Sequence, residues 1–421
     1  MTNQGRDFYI GYMQAFRSFF AGSHNPYVMI TTLDQTAHVT VTNNFRKRTT
    51  NYVINARSVR EIELPVSLQN TVNGITDKSL HITSTVDVIV EGYHVNEVSA
   101  DGYLALPATS YGKQYIIATY TPNLQSQFLI TASQDQTKIS IIFPRNVVYN
   151  GVTYSKNKHL IFTMQRSQSF YYGYNQDLTG TVINTNKNVA VYAGNRCAYV
   201  PVGSSECEVL IEQFLPTRTL GTNYVLTTFA DRIAGDIYRV VAAYDNTNVQ
   251  MHLNGQTKSL SQGSYTEFQL GSNSGMFVNC SKPCAVAHYS KGHVSNDDHA
   301  EPMMIVIPAF SQYQSSYTFY SVITPGNDVT DRFINIAILD SQKSGLRIDG
   351  NTLEHFHHVE WHQVTTSHGT FAVSAISIHE GRHVINHINP NVHFSLTQYG
   401  YGHSLSYGFL AGIKLSFNPN G

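Results

Sequence analysis

The residues best suited to chemistry lie near the end of the sequence, where the pentapeptide HEGRH (379–383) is followed by His387. This is the HExxH pattern of zinc peptidases, in which two histidines bind the metal and the glutamate activates a water molecule. That chemistry needs a helix, but β-like runs flank the motif and Gly381 interrupts it. We therefore expect a hairpin turn that carries histidines. A zinc-dependent hydrolase using His379, Glu380 and His383 is kept as a minor alternative.

Further histidines surround Trp361, at His355, His357, His358 and His362. Alternate residues of a strand share a face, so His355 and His357 would point the same way. Two ligands on one strand supply only half of a zinc site. We interpret these side chains as polar or partly buried residues rather than as a metal centre.

Two charged segments also have the composition of a binding site. The loop 296–301 (NDDHAE) offers oxygen ligands suited to calcium, but its spacing differs from that of an EF-hand, which favours a solvated connecting loop. The basic stretch 46–48, with Arg57 and Arg60, would suit a sulfated glycan or an acidic partner, although three consecutive charges more often mark a loop. We assign no metal ligands, and the ligand-binding residues remain unknown.

The four cysteines fall in two tight pairs, Cys197 with Cys207 and Cys280 with Cys284. Each pair is close enough along the chain for a local disulfide, which is typical of a protein made in an oxidising compartment. Zinc and free thiols remain as alternatives, although the first pair is spaced more widely than structural zinc ligands usually are.

Composition and missing motifs exclude several functional classes. The chain has 27 Lys and Arg against 28 Asp and Glu, so no global field favours nucleic acid or an anionic membrane surface. Its apolar stretches fall short of the roughly 20 residues that span a bilayer. Nucleophile-elbow, phosphate-loop and dinucleotide-binding patterns are absent. We therefore predict no enzyme, no catalytic residue and no cofactor.

The elements that must position these residues repeat along the chain. Four segments combine an alternating apolar run, an acidic turn and a second apolar run, with turns at Asp34, Asp135, Asp245 and Asp340. Alternation rich in Val, Ile, Thr, Tyr and Phe predicts strands. We expect each turn aspartate to accept hydrogen bonds from backbone N–H groups two residues on.

A second repeated pattern marks the junctions, where a Leu-Pro or Ile-Pro step precedes a tyrosine by eight or nine residues. Together the repeats predict an all-β chain of four tandem β-sandwich-like modules of about 100 residues each, related by internal repeat. We place the modules at residues 5–100, 101–208, 209–300 and 301–421. The junction pairs are Pro107 with Tyr115, Pro216 with Tyr224, and Pro308 with Tyr317.

Several longer stretches, in order and across nearly the whole chain, resemble the N-terminal domain of IgGFc-binding proteins. The most specific are the block NKNVAVYAGNRC (186–197) and the block EQFLP (212–216). Others are GRDF (5–8), DGYLALP (101–107), YGKQY (111–115), GDIYRVVAAYDNT (235–247), EPMMIVIP (301–308) and SYGFLAG (406–412).

The resemblance implies a secreted, non-catalytic adhesion or recognition domain that binds an extracellular protein or glycan. It also implies that Cys197 pairs with Cys207 and that Cys280 pairs with Cys284. The first residues lack the basic end and apolar run of a signal peptide, so we expect a secreted protein whose leader is absent from this sequence. A structural spacer in a larger secreted assembly is the alternative, and the oligomeric state stays open.

Overall fold

The computed structural model describes residues 1–15, 25–96, 99–252, 255–292, 301–321, 329–356, 359–402 and 405–416. Over these ranges the chain is all-β, which confirms the fold class predicted from the alternation of residues. The helical segments described there are short 3-10 turns: Val66–Leu68, Ala108–Ser110, Thr217–Thr219, Phe310–Gln312, Asp340–Gly345 and Leu353–His355.

The first group of strands is organised around β9 (Leu80–Asn96), a strand of 17 residues that serves two layers. Its first part pairs with β1 (Gly5–Ile10) and β4 (Ala37–Asn43), and its second part pairs with β3 (Pro26–Thr32) and β10 (Ser99–Ala105). Residues of β4 alternate between the core and a more exposed face, as period-two side chains do. The other strands are β2 (Tyr12–Met13), β5 (Arg48–Ile54), β6 (Val59–Glu63), β7 (Gln69–Asn70) and β8 (Gly74–Thr76).

The second group repeats this plan around β18 (Val182–Ala198), which again has 17 residues. β11 (Gly112–Ile116) and β13 (Thr137–Ile142) pair with its first part, and β12 (Ser126–Ala132) and β19 (Glu208–Gln213) with its second. β17 (Ser169–Tyr174) lies between β12 and β8 and pairs with both, so strand pairing joins the two groups. The remaining strands are β14 (Val147–Tyr149), β15 (Val152–Tyr154) and β16 (Leu160–Met164).

In the third group the corresponding long strand is broken in two. β25 (Gly275–Cys280) lies in one sheet and β26 (Cys284–Ser290) in another, and the Cys280–Cys284 disulfide spans the break. Pro283 lies within the break and has no N–H to donate to a ladder, which suits this position. The other strands are β20 (Asn223–Thr227), β21 (Asp236–Ala242), β22 (Thr247–Met251), β23 (Gln256–Leu260), β24 (Tyr265–Leu270) and β27 (Met304–Val306).

The fourth group is split in the same way, between β34 (Gly381–His387) and β35 (Ser395–Gly402). One sheet contains four strands and the other contains five. The other strands are β28 (Ser316–Ser321), β29 (Val329–Leu339), β30 (Leu346–Ile348), β31 (Asn351–Thr352), β32 (His362–Thr366), β33 (Gly369–Ser377) and β36 (Ser406–Leu410).

The last strands of the four groups, β10, β19, β27 and β36, lie against one another in a closed cycle. Side-chain carboxyls satisfy backbone N–H groups between them, because an edge strand has donors without a ladder partner. Asp101 of β10 accepts from Ile211 N at 2.8 Å and from Gly408 N at 3.2 Å. Glu212 of β19 accepts from Val306 N at 3.1 Å. The groups are therefore connected at a common centre.

The chain ends meet, and the apolar cores cross from one group to the next. Met1 N donates to Leu415 O at 3.1 Å, and Leu415 N donates to Met1 O at 2.7 Å. Phe333 and Tyr399 of the fourth group belong to the core of the third. The four groups follow chain order, and pairing between β8 and β17 crosses from the first to the second. The division of the chain into modules at the boundaries given above stays a prediction.

The Pro–Tyr pattern has one physical role at all three junctions. After each proline step comes a short 3-10 turn. The hydroxyl of the tyrosine that follows donates to a backbone carbonyl of the long strand or, in the fourth group, of the segment that joins β34 to β35. Tyr115 reaches Val189 O at 2.6 Å, Tyr224 reaches Cys284 O at 2.5 Å, and Tyr317 reaches Phe394 O at 2.5 Å.

The acidic turns form where the repeats predict them, but two of their hydrogen-bond partners are distant. Asp135 accepts from Arg166 N at 3.0 Å, and Asp245 accepts from Gln262 N at 2.9 Å. The prediction that the aspartate accepts from the N–H group two residues on is wrong at these two turns. Each carboxylate instead accepts from the backbone of a neighbouring loop. The fourth turn differs again, since a 3-10 helix occupies Asp340–Gly345.

Candidate functional site

The HEGRH segment is not helical. Gly381 has a φ of +116° and begins β34, so the two histidines cannot share a helix face. Both ring nitrogens of His383 are engaged, Nδ1 with Asp349 at 2.7 Å and Nε2 with the His379 carbonyl at 2.7 Å. Burial opposes protonation of His383, yet these two hydrogen bonds raise its pKa. The geometry is that of a structural histidine.

The same segment corrects the expected hairpin. β33 and β34, which it joins, belong to different sheets, so the connection passes from one layer to the other. His387 is likewise engaged, with Nε2 against the Gln342 carbonyl at 2.8 Å and Nδ1 against Asn389 N at 2.9 Å. No three His, Cys, Asp or Glu side chains of the described residues come together to hold a metal ion.

Two of the histidines around Trp361 are described, and they lie in different elements. His355 lies in a 3-10 helix, which overturns its placement on a strand, and its Nδ1 is 3.1 Å from Thr352 Oγ1. His362 begins β32. His357 and His358 lie outside the described residues.

The loop 296–301, for which a solvated connection was favoured over a calcium site, is described only at its last residue, Glu301, because residues 296–300 lie outside the described ranges. Burial, followed by the charge of Glu206, raises the pKa of Glu301 to about 8, although Arg232 lowers it.

The basic stretch does not form one positive patch. Most of its side chains have partners of their own, which spreads their charges along the first group. Lys47 pairs with Asp77 at 3.3 Å, Arg57 pairs with Asp34 at 2.8 Å, Arg46 donates to Ser67 Oγ at 3.3 Å, and Arg60 stacks over Tyr52 at 5.4 Å.

The cysteines form two local disulfides, Cys197–Cys207 with Cα atoms 5.3 Å apart and Cys280–Cys284 with Cα atoms 6.5 Å apart. This is the pairing that the family resemblance implies. The first bridge closes a loop that exposes Val202, whose side chain is 65% accessible.

An arginine closes the junction between the second and third groups. Arg239, in β21, has only 4% of its side chain exposed. Its guanidinium donates to Asp177 at 2.7 Å, to Glu267 at 2.8 Å and to the Thr119 carbonyl at 2.7 Å. Three rings surround it, those of Tyr120 at 4.5 Å, Tyr265 at 4.7 Å and Tyr289 at 5.7 Å.

This arrangement keeps a buried carboxylate ionised. Burial alone would raise the pKa of Asp177, but Arg239 and hydrogen bonds from Thr179 and Thr119 outweigh burial and lower the pKa. Our reading of the sequence missed this site. An arginine inside the otherwise apolar run IYRVVA was the signal for it, because a charge in a buried strand requires a buried partner.

The junction between the first and fourth groups holds a buried carboxyl beside an amide. Gln398 Nε2 of β35 donates to Glu91 Oε1 of β9 at 3.0 Å. Burial raises the pKa of Glu91 to about 8, although this bond acts in the opposite direction. Within the described residues, Glu91 Oε2 and Gln398 Oε1 have no hydrogen-bond partner. A proton on the carboxyl would supply the missing donor.

The junction between the third and fourth groups contains a cleft of about 660 Å³. One wall is the loop 228–235, between β20 and β21, which two tyrosines of β35 hold in place. Ala230 N donates to Tyr399 Oη at 2.9 Å, and Tyr401 Oη donates to Ala230 O at 3.1 Å. The lining is Thr227, Thr228, Phe229, Ala230, Asp231, Asn273, Ser274, Asp331, Phe333, Glu360, His362, Ala375 and Ser377.

The cleft is acidic and has an aromatic floor. Asp231, Asp331 and Glu360 line it, and over the described ranges none of them has a lysine or arginine partner. Phe333 stacks on Tyr399 at 5.5 Å and on Tyr401 at 5.6 Å. The sequence alone does not reveal this group of carboxylates, because three separate segments supply them and no local pattern connects them.

Comparisons with known proteins agree with the resemblance seen in the sequence. The human IgGFc-binding protein is 24% identical over 366 residues, which are 84% of this chain but 6% of that protein. The chain thus spans about 6% of the length of the curated relative it matches.

Solved structures align with low scores. A bacterial ice-binding adhesin aligns at 9% identity and a TM-score of 0.11, covering 68% of this chain and 91% of that one. The BSP domain of a biofilm-associated protein aligns at 8% identity and a TM-score of 0.15, covering 100% and 97%. These values support no structural argument.

Among the described residues, no helix has the length and apolar character needed to cross a membrane. The family described as "IgGFc binding protein" matches residues 101–400, which is most of the chain and includes all four cysteines, the Arg239 junction and the whole lining of the cleft. The chain belongs to the IgGFc-binding protein family.

Proposed function

We propose that this chain is an extracellular, non-catalytic recognition domain that binds a partner protein. The observation that carries the proposal is the family match over residues 101–400. A human relative is called an IgGFc-binding protein, so the Fc part of immunoglobulin G is the first partner to test. A glycan, as on mucus proteins, is the second.

Several physical features support recognition over catalysis. The two disulfides suit an extracellular location, because such bonds persist in oxidising compartments. Both ring nitrogens of His383 are occupied by structural contacts, which weighs against the zinc hydrolase. The many junction contacts hold the groups together, and a pre-organised surface loses less entropy when it binds.

The spacer alternative fits the geometry less well. A spacer holds its two neighbouring domains apart, whereas here Met1 and Leu415 exchange two backbone hydrogen bonds. A stretch in which residues 1 and 415 are adjacent adds little length between whatever adjoins it.

The test is label-free binding of the intact chain to Fc, mucins, sulfated glycans and neutral glycans, each over a concentration series. Saturable binding to one of them, which an excess of the same partner free in solution abolishes, is the expected result. The matched control is the same chain after urea unfolding and reduction, which must lose the binding. If none of the partners binds saturably, the proposal is contradicted and the spacer alternative is favoured.

A further inference from the structure

We propose that the cleft between the third and fourth groups binds an arginine or lysine side chain of a partner polypeptide. The inference rests on the proposed recognition function and identifies the class of partner and the place where it binds. The cleft volume of about 660 Å³ lies within the usual range for ligand sites and accommodates a few residues of an extended segment.

The first reason is charge. Asp231 and Glu360 are exposed and Asp331 is half-buried, and all three line the same cleft. The nearby arginines are committed elsewhere: Arg332 is 3.6 Å from Glu380, and Arg232 is buried against the Tyr401 ring at 4.5 Å. The lining that the structure describes therefore carries three carboxylates and no lysine or arginine, which favours a cationic ligand.

The second reason is the way in which the same protein holds a guanidinium at another junction. Around Arg239, two carboxylates accept hydrogen bonds while aromatic rings cover the face of the cation. The cleft offers the same set of groups, with Asp231, Asp331 and Glu360 as acceptors and Phe333 as the ring. Among the described residues its lining contains no lysine or arginine, so a cation from a partner would complete the set.

The third reason is an apolar contact beside the charged site. Ile233, two residues after Asp231 in the same loop, is 74% exposed. An isolated exposed side chain needs no explanation, but here it lies in the loop that also supplies a wall of the cleft. Arginine and lysine have apolar stems below their charged heads, and such a neighbour would pack against them or against the adjoining peptide.

The probe is a labelled, unstructured Arg- and Lys-containing peptide of about 12 residues, long enough to cross the cleft. Its control has the same sequence with citrulline and acetyl-lysine in place of the basic residues. Binding is measured by fluorescence anisotropy at low and raised salt. We expect saturable binding of the basic peptide, loss of binding for the neutral one, and weakening as salt screens the charges. Equal binding of the two peptides overturns the proposal.

The site is located with two charge-matched variants. Asp231→Asn, Asp331→Asn and Glu360→Gln together remove three charges from the cleft, and Glu63→Gln, Asp77→Asn and Asp87→Asn remove three from the surface of the first group. We expect affinity for the basic peptide to fall about tenfold or more in the cleft variant and less than about twofold in the control. Equal losses contradict the assignment.

A measurement on the unaltered chain guards against misfolding of the variants. Carbodiimide joins a peptide amine directly to a carboxylate that it contacts, and mass spectrometry identifies the residue. Cross-links at Asp231, Asp331 or Glu360 are expected, and cross-links confined to other carboxylates refute the cleft as the binding site.

The same experiments separate this inference from the proposed function. If Fc or a glycan binds but the cleft variant keeps that affinity and basic peptides do not bind, this inference fails while the recognition function stands. If nothing binds, both fail.

Discussion

Two junctions of this protein use similar residues to opposite effect. Between the second and third groups, Arg239 lies among Asp177, Glu267 and three tyrosine rings, and only 4% of its side chain is exposed. Between the third and fourth groups, Asp231, Asp331 and Glu360 line an open cleft beside Phe333. An internal cation draws carboxylates together and closes the first junction. The second junction has no lysine or arginine in the lining that the structure describes, and its carboxylates stay wholly or partly exposed to solvent.

A third junction shows another way to bury an acid. Glu91 meets Gln398 rather than a cation, and burial raises its pKa to about 8. A buried carboxyl is thus ionised beside Arg239 and neutral beside Gln398, because the interior admits a charge only when an opposite charge accompanies it. The cleft carboxylates need neither a buried counter-charge nor a bound proton, because they stay in contact with water.

Replacement of Arg239 by methionine should have the largest effect, because it removes the cation that distinguishes the closed junction from the open cleft. Asp177 would then be a buried charge without its partner, and we expect the free energy of unfolding to fall by about 3–5 kcal/mol. Urea denaturation at pH 7 measures the loss. The matched control is Arg57→Met, which breaks the exposed pair with Asp34 and should cost less than about 1 kcal/mol. Equal losses would mean that Arg239 does not hold the junction together.

The same variant gives a pH-dependent prediction. In the native protein the pKa of Asp177 is lowered, so its stabilising contribution is present above the unfolded pKa of about 4 and is lost as the pH falls. Without Arg239, a protonated Asp177 needs no counter-charge. The stability difference between the native protein and Arg239→Met should therefore narrow by about 2 kcal/mol between pH 6 and pH 3. A constant difference would show that lost packing, rather than charge, explains the effect.

Glu91→Gln sharpens the contrast between the two kinds of buried acid. The pKa of Glu91 is near 8 in the folded protein and near 4.5 when unfolded, so folding requires uptake of a proton between these values. The stability of the native protein is therefore highest below the unfolded pKa and falls as the pH rises through the folded one. Glutamine imitates the neutral form and should stabilise the protein by about 2 kcal/mol at pH 6 but little at pH 4.

Thermal and urea unfolding at both pH values check this prediction, with the exposed Glu63→Gln as the control. The control should show no comparable gain at either pH. A variant less stable than the native protein at pH 6 would mean that Glu91 is ionised in the fold.

These junctions also show what sequence predicts here and what it does not. Alternation predicts the strands because a side chain's face depends on its own position, as in β4. The Pro–Tyr steps predict repeated junction turns for a similar local reason. The partners of Asp135 and Arg239 depend on loops and strands brought together by folding, so no spacing along the chain reveals them.

The HEGRH segment shows how residue types mislead when the backbone is ignored. Its letters match a zinc site, but Gly381 and the β-like flanks predict a non-helical connection, and the structure has one. The flanks predict the local conformation correctly but leave the topology open, because a turn between strands can join one sheet or cross between two.

The smallest expected effect concerns the cleft. Asp231→Asn, Asp331→Asn and Glu360→Gln remove charges that have no basic partner among the described residues, so the free energy of unfolding should change by less than about 0.5 kcal/mol. Any change should be a gain that grows at low ionic strength, because the substitutions relieve repulsion between like charges. Urea denaturation at low and high salt measures it. A large loss would mean that the carboxylates support the fold, as Asp177 does, and the contrast between a closed and an open junction would fail.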